Sequence, residues 1–194
     1  MINKNPIKKV ALFGGSFNPI HNQHIKMIKK LSKSKLIDEI WIIPCKKHAF
    51  NKDFALAKHR IKMINLAMKN LTNVKICRVE LNCRGTTYTI KTIGTLKSKY
   101  SHRFFWIVGS DILYEIHKWK NYKELFKEIE FIVFKRAGYP IKKVKNMRIF
   151  KVRVYKANNI SSTEVRKRAR EGESLKNLVP YSVSKYIKQN KLYK

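Results

Sequence analysis

The stretch GGSFNPIHNQH, residues 14–24, places His21 and His24 three apart behind a glycine pair and a proline. The run before it, KKVALF, is short, apolar and β-like, and the run after it, IKMIKKLSK, has helical spacing. That context predicts both imidazoles at the first turn of a helix, where a spacing of three puts them on one face. Backbone N–H groups and the helix dipole favour negative charge there. Two imidazole donors beside the Gly14–Gly15 turn would complete a phosphate cradle and hold charge that grows in a transition state. A metal would need a third ligand, and neither HExxH nor a nearby carboxylate supplies one. Two solvated histidines at a helix start are the plainer alternative, and the glycine turn after a strand weighs against it. A second stretch, ISSTEVR (160–166), offers Ser161, Ser162 and Thr163 at another predicted helix start, with Arg166 one turn later. Hydroxyls, N–H groups and a guanidinium fork together suit phosphate oxygens. An ordinary N-cap with a surface arginine is the alternative, and the pairing with the first motif counts against it.

These residues need a scaffold, and the hydrophobic pattern supplies one. Strands are predicted at 10–13, 40–43, 74–79, 104–108, 131–134 and 150–155. The first, second, fourth and fifth are nearly unbroken apolar runs, as in strands buried on both faces of a parallel sheet. Helices are predicted at 22–34, 56–70, 89–99 and 111–128, the last broken into two. Within 56–70, Ile61, Ile64 and Met68 recur at i, i+3 and i+7. The alternation implies an α/β, Rossmann-like, doubly wound parallel sheet. After residue 160 the strands stop, and two helices follow, one ending at Gly172 and one opened by Pro180. The chain reads as a single domain, 1–194, with a core over 1–158 and a helical C-terminal part over 159–194. Ligands in such sheets bind beyond the carboxyl ends of the strands. GGSFNPIHNQH, PCKKHAFNK, GSD at 109–111 and KRAGYP all follow strands, so they should share one rim.

Composition narrows the function classes. In 194 residues, 44% hydrophobic content argues against disorder. No apolar run approaches the roughly 20 residues that span a bilayer, and the basic N-terminus turns to glycine too soon for a secretory signal. A cytoplasmic protein with no membrane partner is expected. Cys45, Cys77 and Cys83 form no CxxC pair and read as reduced thiols. The formal charge of +32 is spread along the chain, mostly as lysine. Without a concentrated basic tract or an RRM, KH or zinc-finger signature, a surface that attracts anionic substrates is expected rather than a specific nucleic-acid partner. Neither GxGxxG nor GxxxxGK[ST] is present.

The two motifs together resemble the paired signatures, HxGH and ISSTxxR, of the nucleotidyltransferase superfamily. Between them, TTYTIKTI (86–93), FFWIVGSDIL (104–113) and HKWKNYKEL (117–125) are similar to segments of one branch, the bacterial nicotinate-nucleotide adenylyltransferases. GESLKNLVPYSVSKYIKQNKLY resembles the C-terminal end of that family, so the likeness runs over nearly the whole chain. It implies adenylyl transfer from ATP to nicotinate mononucleotide, giving deamido-NAD and pyrophosphate in NAD biosynthesis. His21 and His24 would then hold the α-phosphate. Arg166 and the serines would hold the β,γ end, and Mg²⁺ would be bound mainly by substrate phosphates rather than by protein ligands. Gly14, Gly15, Ser16, Phe17, Gly109, Asp111, Ile160, Ser161, Ser162, Thr163 and Lys52 would contact ATP. The aspartate matching Asp111 bonds the ribose, although an N-cap is an equally local role. Thr87, Tyr88, Thr89, Trp119, Lys120 and Arg136 would contact nicotinate mononucleotide. There the pyridine would stack on Trp119, its carboxylate held by Thr89 and the Lys120 backbone amide. Trp119 as a core aromatic is the alternative; Trp106 is assigned to the core. Other acceptors, such as nicotinamide mononucleotide or phosphopantetheine, and a basic nucleic-acid-binding protein on a retained nucleotide fold, are the competing readings. The oligomeric state stays open.

Three positions depart from the family pattern. Gln23 stands where HxGH has glycine, a position that lets the nucleotide approach the backbone. Its side chain would turn outward, or the base would sit slightly displaced. Lys91 replaces a common aspartate. PCKKHAFNK replaces a PPHK-like segment, leaving Lys47 and Lys52 as phosphate-steadying candidates, with Lys52 preferred and His48 a loop residue.

Overall fold

The computed structural model describes residues 6–46, 54–153 and 160–194. Six strands form one sheet: β1 Lys9–Gly15, β2 Glu39–Pro44, β3 Val74–Ile76, β4 Arg103–Gly109, β5 Glu130–Phe134 and β6 Ile149–Arg153. Their order is β3-β2-β1-β4-β5-β6, and every pairing is parallel. The helices are α1 Asn22–Ser32, α2 Ala57–Met68, α3 Thr89–Lys99, α4 Tyr122–Glu128, α5 Ser162–Arg170 and α6 Tyr181–Gln189.

Alternation along the central strand explains why both helical layers form. On β1, Ala11 and Phe13 face the cluster built with Ile28 of α1, Ile64 of α2, Val165 of α5 and Val183 of α6. Val10 and Leu12 face the cluster built with Leu96 of α3 and Leu125 of α4. A fully buried side chain of the size of Val10, Leu12 or Ile28 contributes about 1.5–3 kcal/mol. The order in which strands are added across the sheet reverses between β1 and β4, so the loops leaving these two parallel strands part and open a crevice at their carboxyl ends.

Three expectations change in detail. The strand read as 74–79 stops at Ile76; Cys77 N–H still reaches Ile42 O at 2.8 Å, and the chain then turns away. The strand read as 150–155 runs from Ile149 to Arg153, and residues 154 and 155 lie outside the described residues. The region read as a broken helix over 111–128 breaks further, into 3-10 turns at Ile112–Tyr114 and Ile116–Lys118 before α4. Extended backbone at Trp119 (ψ 140°) and left-handed backbone at Asn121 (φ 51°) cause that break.

Candidate active site

Past Gly15, residues 16–20 form a buried loop that delivers the chain to α1. Phe17 adopts φ 47° with its ring in the core, and the Asn18–Pro19 peptide is cis. His21 is the N-cap of α1 in extended backbone, and His24 occupies the third helical position. Their rings stack at 3.7 Å between centroids, 23° from parallel. Edge contacts with Phe13 (5.6 Å) and Phe17 (5.2 Å) hold the His24 ring. The His21 N–H donates to His24 Nδ1 at 3.4 Å, which leaves Nε2 of His24 to carry the ring proton. His21 is only 5% exposed. Burial, then the Arg136 charge, pulls its pKa down to about 4. Burial, then His21, then Arg136, pushes His24 well below the ordinary value. Both rings are therefore neutral at pH 7 without an anion. His21 Nδ1 is buried with no hydrogen-bond partner among the described residues.

These rings line a cavity of about 260 Å³ that also takes in Gln23, Asp111, Arg136, Ile160, Ser161 and Ser162. Gln23 is 9% exposed and turned inward as part of the wall. Of the two arrangements open from sequence, the outward side chain is therefore overturned, because α1 buries this face of its first turn. Arg136 Nη1 donates to Asp111 Oδ2 at 2.5 Å, and the Arg136 N–H donates to Ser110 Oγ at 2.8 Å. Arg136, expected beside the nicotinate nucleotide, thus stands on the histidine side, because the end of β5 abuts that of β4 there. Gly109 is needed for the same arrangement, since a Cβ on it would collide with the Asp111 carboxylate.

The second motif starts α5 as expected. Ser161 caps it, accepting the Glu164 N–H at 3.1 Å. Ser162 Oγ donates to Pro19 O (3.0 Å), and Arg166 Nη1 donates to Asn18 O (3.0 Å). Arg166 Nη2 lies 3.4 Å from Thr163 Oγ1. Thr163 and Arg166 line neither cavity described here. Much of this motif therefore holds the 16–20 loop from behind, a role that spacing alone did not reveal.

A larger hollow of about 830 Å³ adjoins the first, lined among others by Gly14, Gly15, Lys46, Thr87, Thr89, Trp106 and Trp119. Phe13, Gly109 and Ile112 belong to both walls, so the two cavities meet where β1 and β4 end. Trp119 is half-buried, packs at the edge of the α3–α4 core and keeps a face on the hollow. Trp106 is core, as expected, and also forms part of the floor under Gly14. Tyr88 and Lys120 are exposed and do not line the hollow. Lys52, with Lys47 and His48, lies outside the described residues.

Two buried charges escaped the sequence reading. Glu80 accepts the hydroxyls of Thr87 (3.1 Å) and Thr92 (2.8 Å), fixing the turn that carries Thr87 and Thr89. Arg60 is wholly buried and donates to the carbonyls of Ala55, Ser16 and Cys45 at 2.7–3.0 Å. Among the described residues it forms no ion pair with a carboxylate. Those carbonyl oxygens and the face of the Phe54 ring, 4.3 Å away, hold its guanidinium beneath the Gly15–Phe17 turn. The helical period of α2 marked residue 60 for neither core nor site, and only contacts distant in sequence reveal it. No three His, Cys, Asp or Glu side chains among the described residues are grouped to hold a metal.

Comparison with known proteins agrees with this fold. A cytidylyltransferase-like family model matches residues 12–168. The chain is 33% identical over 190 residues to the nicotinate-nucleotide adenylyltransferase of Bacillus subtilis, covering 96% of this chain and 99% of that one. It is 35% identical over 199 residues to a probable nicotinate-nucleotide adenylyltransferase of Methylacidiphilum infernorum, covering 100% and 96%. Among solved structures, the Plasmodium falciparum nicotinic acid mononucleotide adenylyltransferase complexed with NaAD superposes with a TM-score of 0.86 at 24% identity, covering 96% of this chain and 97% of that chain.

Proposed function

The chain belongs to the cytidylyltransferase-like family and, within it, to the nicotinate-nucleotide adenylyltransferases, and from that premise we propose how its residues join ATP to nicotinate mononucleotide. The observation that carries the reading is the meeting of a histidine-lined cavity and a tryptophan-walled hollow at Phe13, Gly109 and Ile112. A dinucleotide has that shape: two ring systems joined through adjacent phosphates.

The nicotinate ring stacks on Trp119, with Thr89 and the Lys120 backbone amide at its carboxylate and Thr87 and Tyr88 on the flanking turn. Adenosine occupies the histidine side, where Gln23 displaces the base from the α1 backbone and Asp111 bonds the ribose. A phosphate oxygen of nicotinate mononucleotide then attacks the α-phosphorus of ATP. The new P–O bond forms as the bond to pyrophosphate breaks, so no protein nucleophile is needed. Catalysis is alignment and charge neutralisation. His21 and His24, neutral in the empty site, donate to the α-phosphate as its charge grows, His24 through the Nε2–H that its Nδ1 contact with the His21 N–H leaves free. Ser161, Ser162, Thr163 and Arg166 serve the β,γ end together with Lys52, and Arg136 and buried Arg60 add positive potential. Mg²⁺ would be held mainly by the phosphates of ATP rather than by protein ligands, with Asp111 the carboxylate in the histidine-lined cavity. The chemistry such an ion would supply is charge neutralisation on the departing pyrophosphate.

Residues 1–194 act as one catalytic unit, since α5 and α6 bury their apolar faces in the core shared by α1 and α2. Among the described residues no helix is long and apolar enough to cross a membrane, and the enzyme works in the cytoplasm beside its ATP supply. The test is pyrophosphate release with ATP and Mg²⁺, comparing nicotinate mononucleotide, nicotinamide mononucleotide and phosphopantetheine. Release with nicotinate mononucleotide is expected. Release with another acceptor alone would discard the Trp119 pocket and keep the histidine chemistry.

A further inference from the structure

The C-terminal tail returns to the loop that carries the histidines, and nothing in the mechanism above uses it. α6 ends with Leu192 N–H on Ile187 O (3.1 Å) and Lys191 N–H on Lys188 O (3.2 Å). Lys191 sits at φ 48° in this motif, the left-handed position usually given to glycine. Tyr193 follows at φ 69°. Two side-chain-bearing residues in this region within three positions persist only where surrounding contacts over-determine them.

The contacts are at Tyr193. It is 9% exposed and belongs to the same core cluster as Phe13, Phe17 and Ile160. Its hydroxyl donates to Asn18 Oδ1 at 3.0 Å, and the same oxygen accepts the Ala55 N–H at 3.0 Å. The main-chain oxygen of Asn18 accepts Arg166, and that of Pro19 accepts Ser162. Burial pushes the Tyr193 phenol up, partly countered by the charges of Arg166 and Arg60, so it remains a donor at neutral pH. Three residues after Asn18 comes His21. The loop is thus gripped from the start of α2, from α5 and from the end of the chain, all at residues 18 and 19.

We propose that Tyr193 is a positioning residue: through Asn18 its hydroxyl fixes the 16–20 loop, and with it the stacked pose of His21 and His24 at the reacting phosphate. This rests on the adenylyl-transfer reading. A misplaced catalytic group of the order of 1 Å can cost about 100-fold in rate. Tyr193→Phe keeps the buried ring and removes only the donor.

The experiment measures kcat, both KM values and the unfolding midpoint for the wild type, Tyr193→Phe and a chain lacking only Lys194, each assayed well below its midpoint. Tyr193→Phe is expected to lower kcat about tenfold or more, with KM values within about twofold of wild type. Removal of Lys194 should change none of them. A Tyr193→Phe enzyme with a lower midpoint but wild-type kcat would make the residue structural only and overturn the proposal. A double-mutant cycle with Arg166→Lys gives the second readout. Losses that fail to add are expected, since both residues act on Asn18, and strictly additive losses would overturn the shared route. A wild-type chain that makes no dinucleotide sinks the reaction assignment itself, which distinguishes that failure from this one.

Discussion

Nothing about His21 and His24 as residue types says whether they are charged; their surroundings decide it. In an unfolded chain His21 would protonate near 6.5, but in the fold it resists until about 4. Between those values the unfolded state binds more protons than the folded one, so folding stability is fully present above about pH 6.5. It is lost as pH falls towards 4, by about 3 kcal/mol for His21 alone. His21→Ala should therefore flatten the pH dependence of the unfolding free energy in this window while lowering kcat on the order of 10²–10³-fold. Denaturant melts at stepped pH and a pyrophosphate assay measure both. An unchanged slope would contradict the buried neutral ring, and near-normal turnover would contradict its catalytic role. At this scale the sequence was informative where chemistry is local. The imidazole pair, the serine cap and Asp111 follow from short motifs. Arg60, Glu80 and Tyr193 do not, because their partners lie 5–44, 7–12 and 175 positions away.

Elements position these residues by ending together. β1 and β4 stop at Gly14–Gly15 and Gly109, and the absence of side chains there makes the crevice. A Cβ on Gly14 would stand 2.5 Å from Cζ2 of Trp106, whose ring is locked in the core. Gly14→Ala should therefore cost about 1–3 kcal/mol of stability by overpacking. It should also raise the KM for nicotinate mononucleotide, because Trp106 floors that hollow. Thermal unfolding and steady-state kinetics test this, and a variant unchanged in both would show that the indole has room to move. Periodicity made α1, α2 and α3 legible to within two residues, since each presents one apolar stripe to the sheet. It overestimated β3 and misread the segment before α4, where left-handed Asn121 and extended Trp119 interrupt a pattern that hydrophobicity alone would continue. That interruption is also what brings Trp119 to the hollow.

Across the whole molecule, strand order and charge act together. The reversal of strand order between β1 and β4 puts both cavities on one rim, and the chain as a whole carries a formal charge of +32. Substrate phosphates should feel that field, and salt should screen it. The KM for ATP is expected to rise about threefold or more between about 0.05 and about 0.5 M salt, with kcat much less affected. A salt-independent KM would show that only short-range contacts bind ATP. The doubly wound plan could be read from alternating apolar runs and helical stretches, because strands buried on both faces leave so plain a pattern. The inward turn of Gln23 could not be read, since it depends on how α1 seats against the ends of β4 and β5. A crystal structure of this chain with nicotinate adenine dinucleotide tests the proposed reaction most directly. The pyridine ring is expected against Trp119, the bridging phosphates at His21 and His24, and the adenine displaced from α1 by Gln23. A dinucleotide bound away from the histidines, or with its two rings exchanged between the cavities, would contradict it.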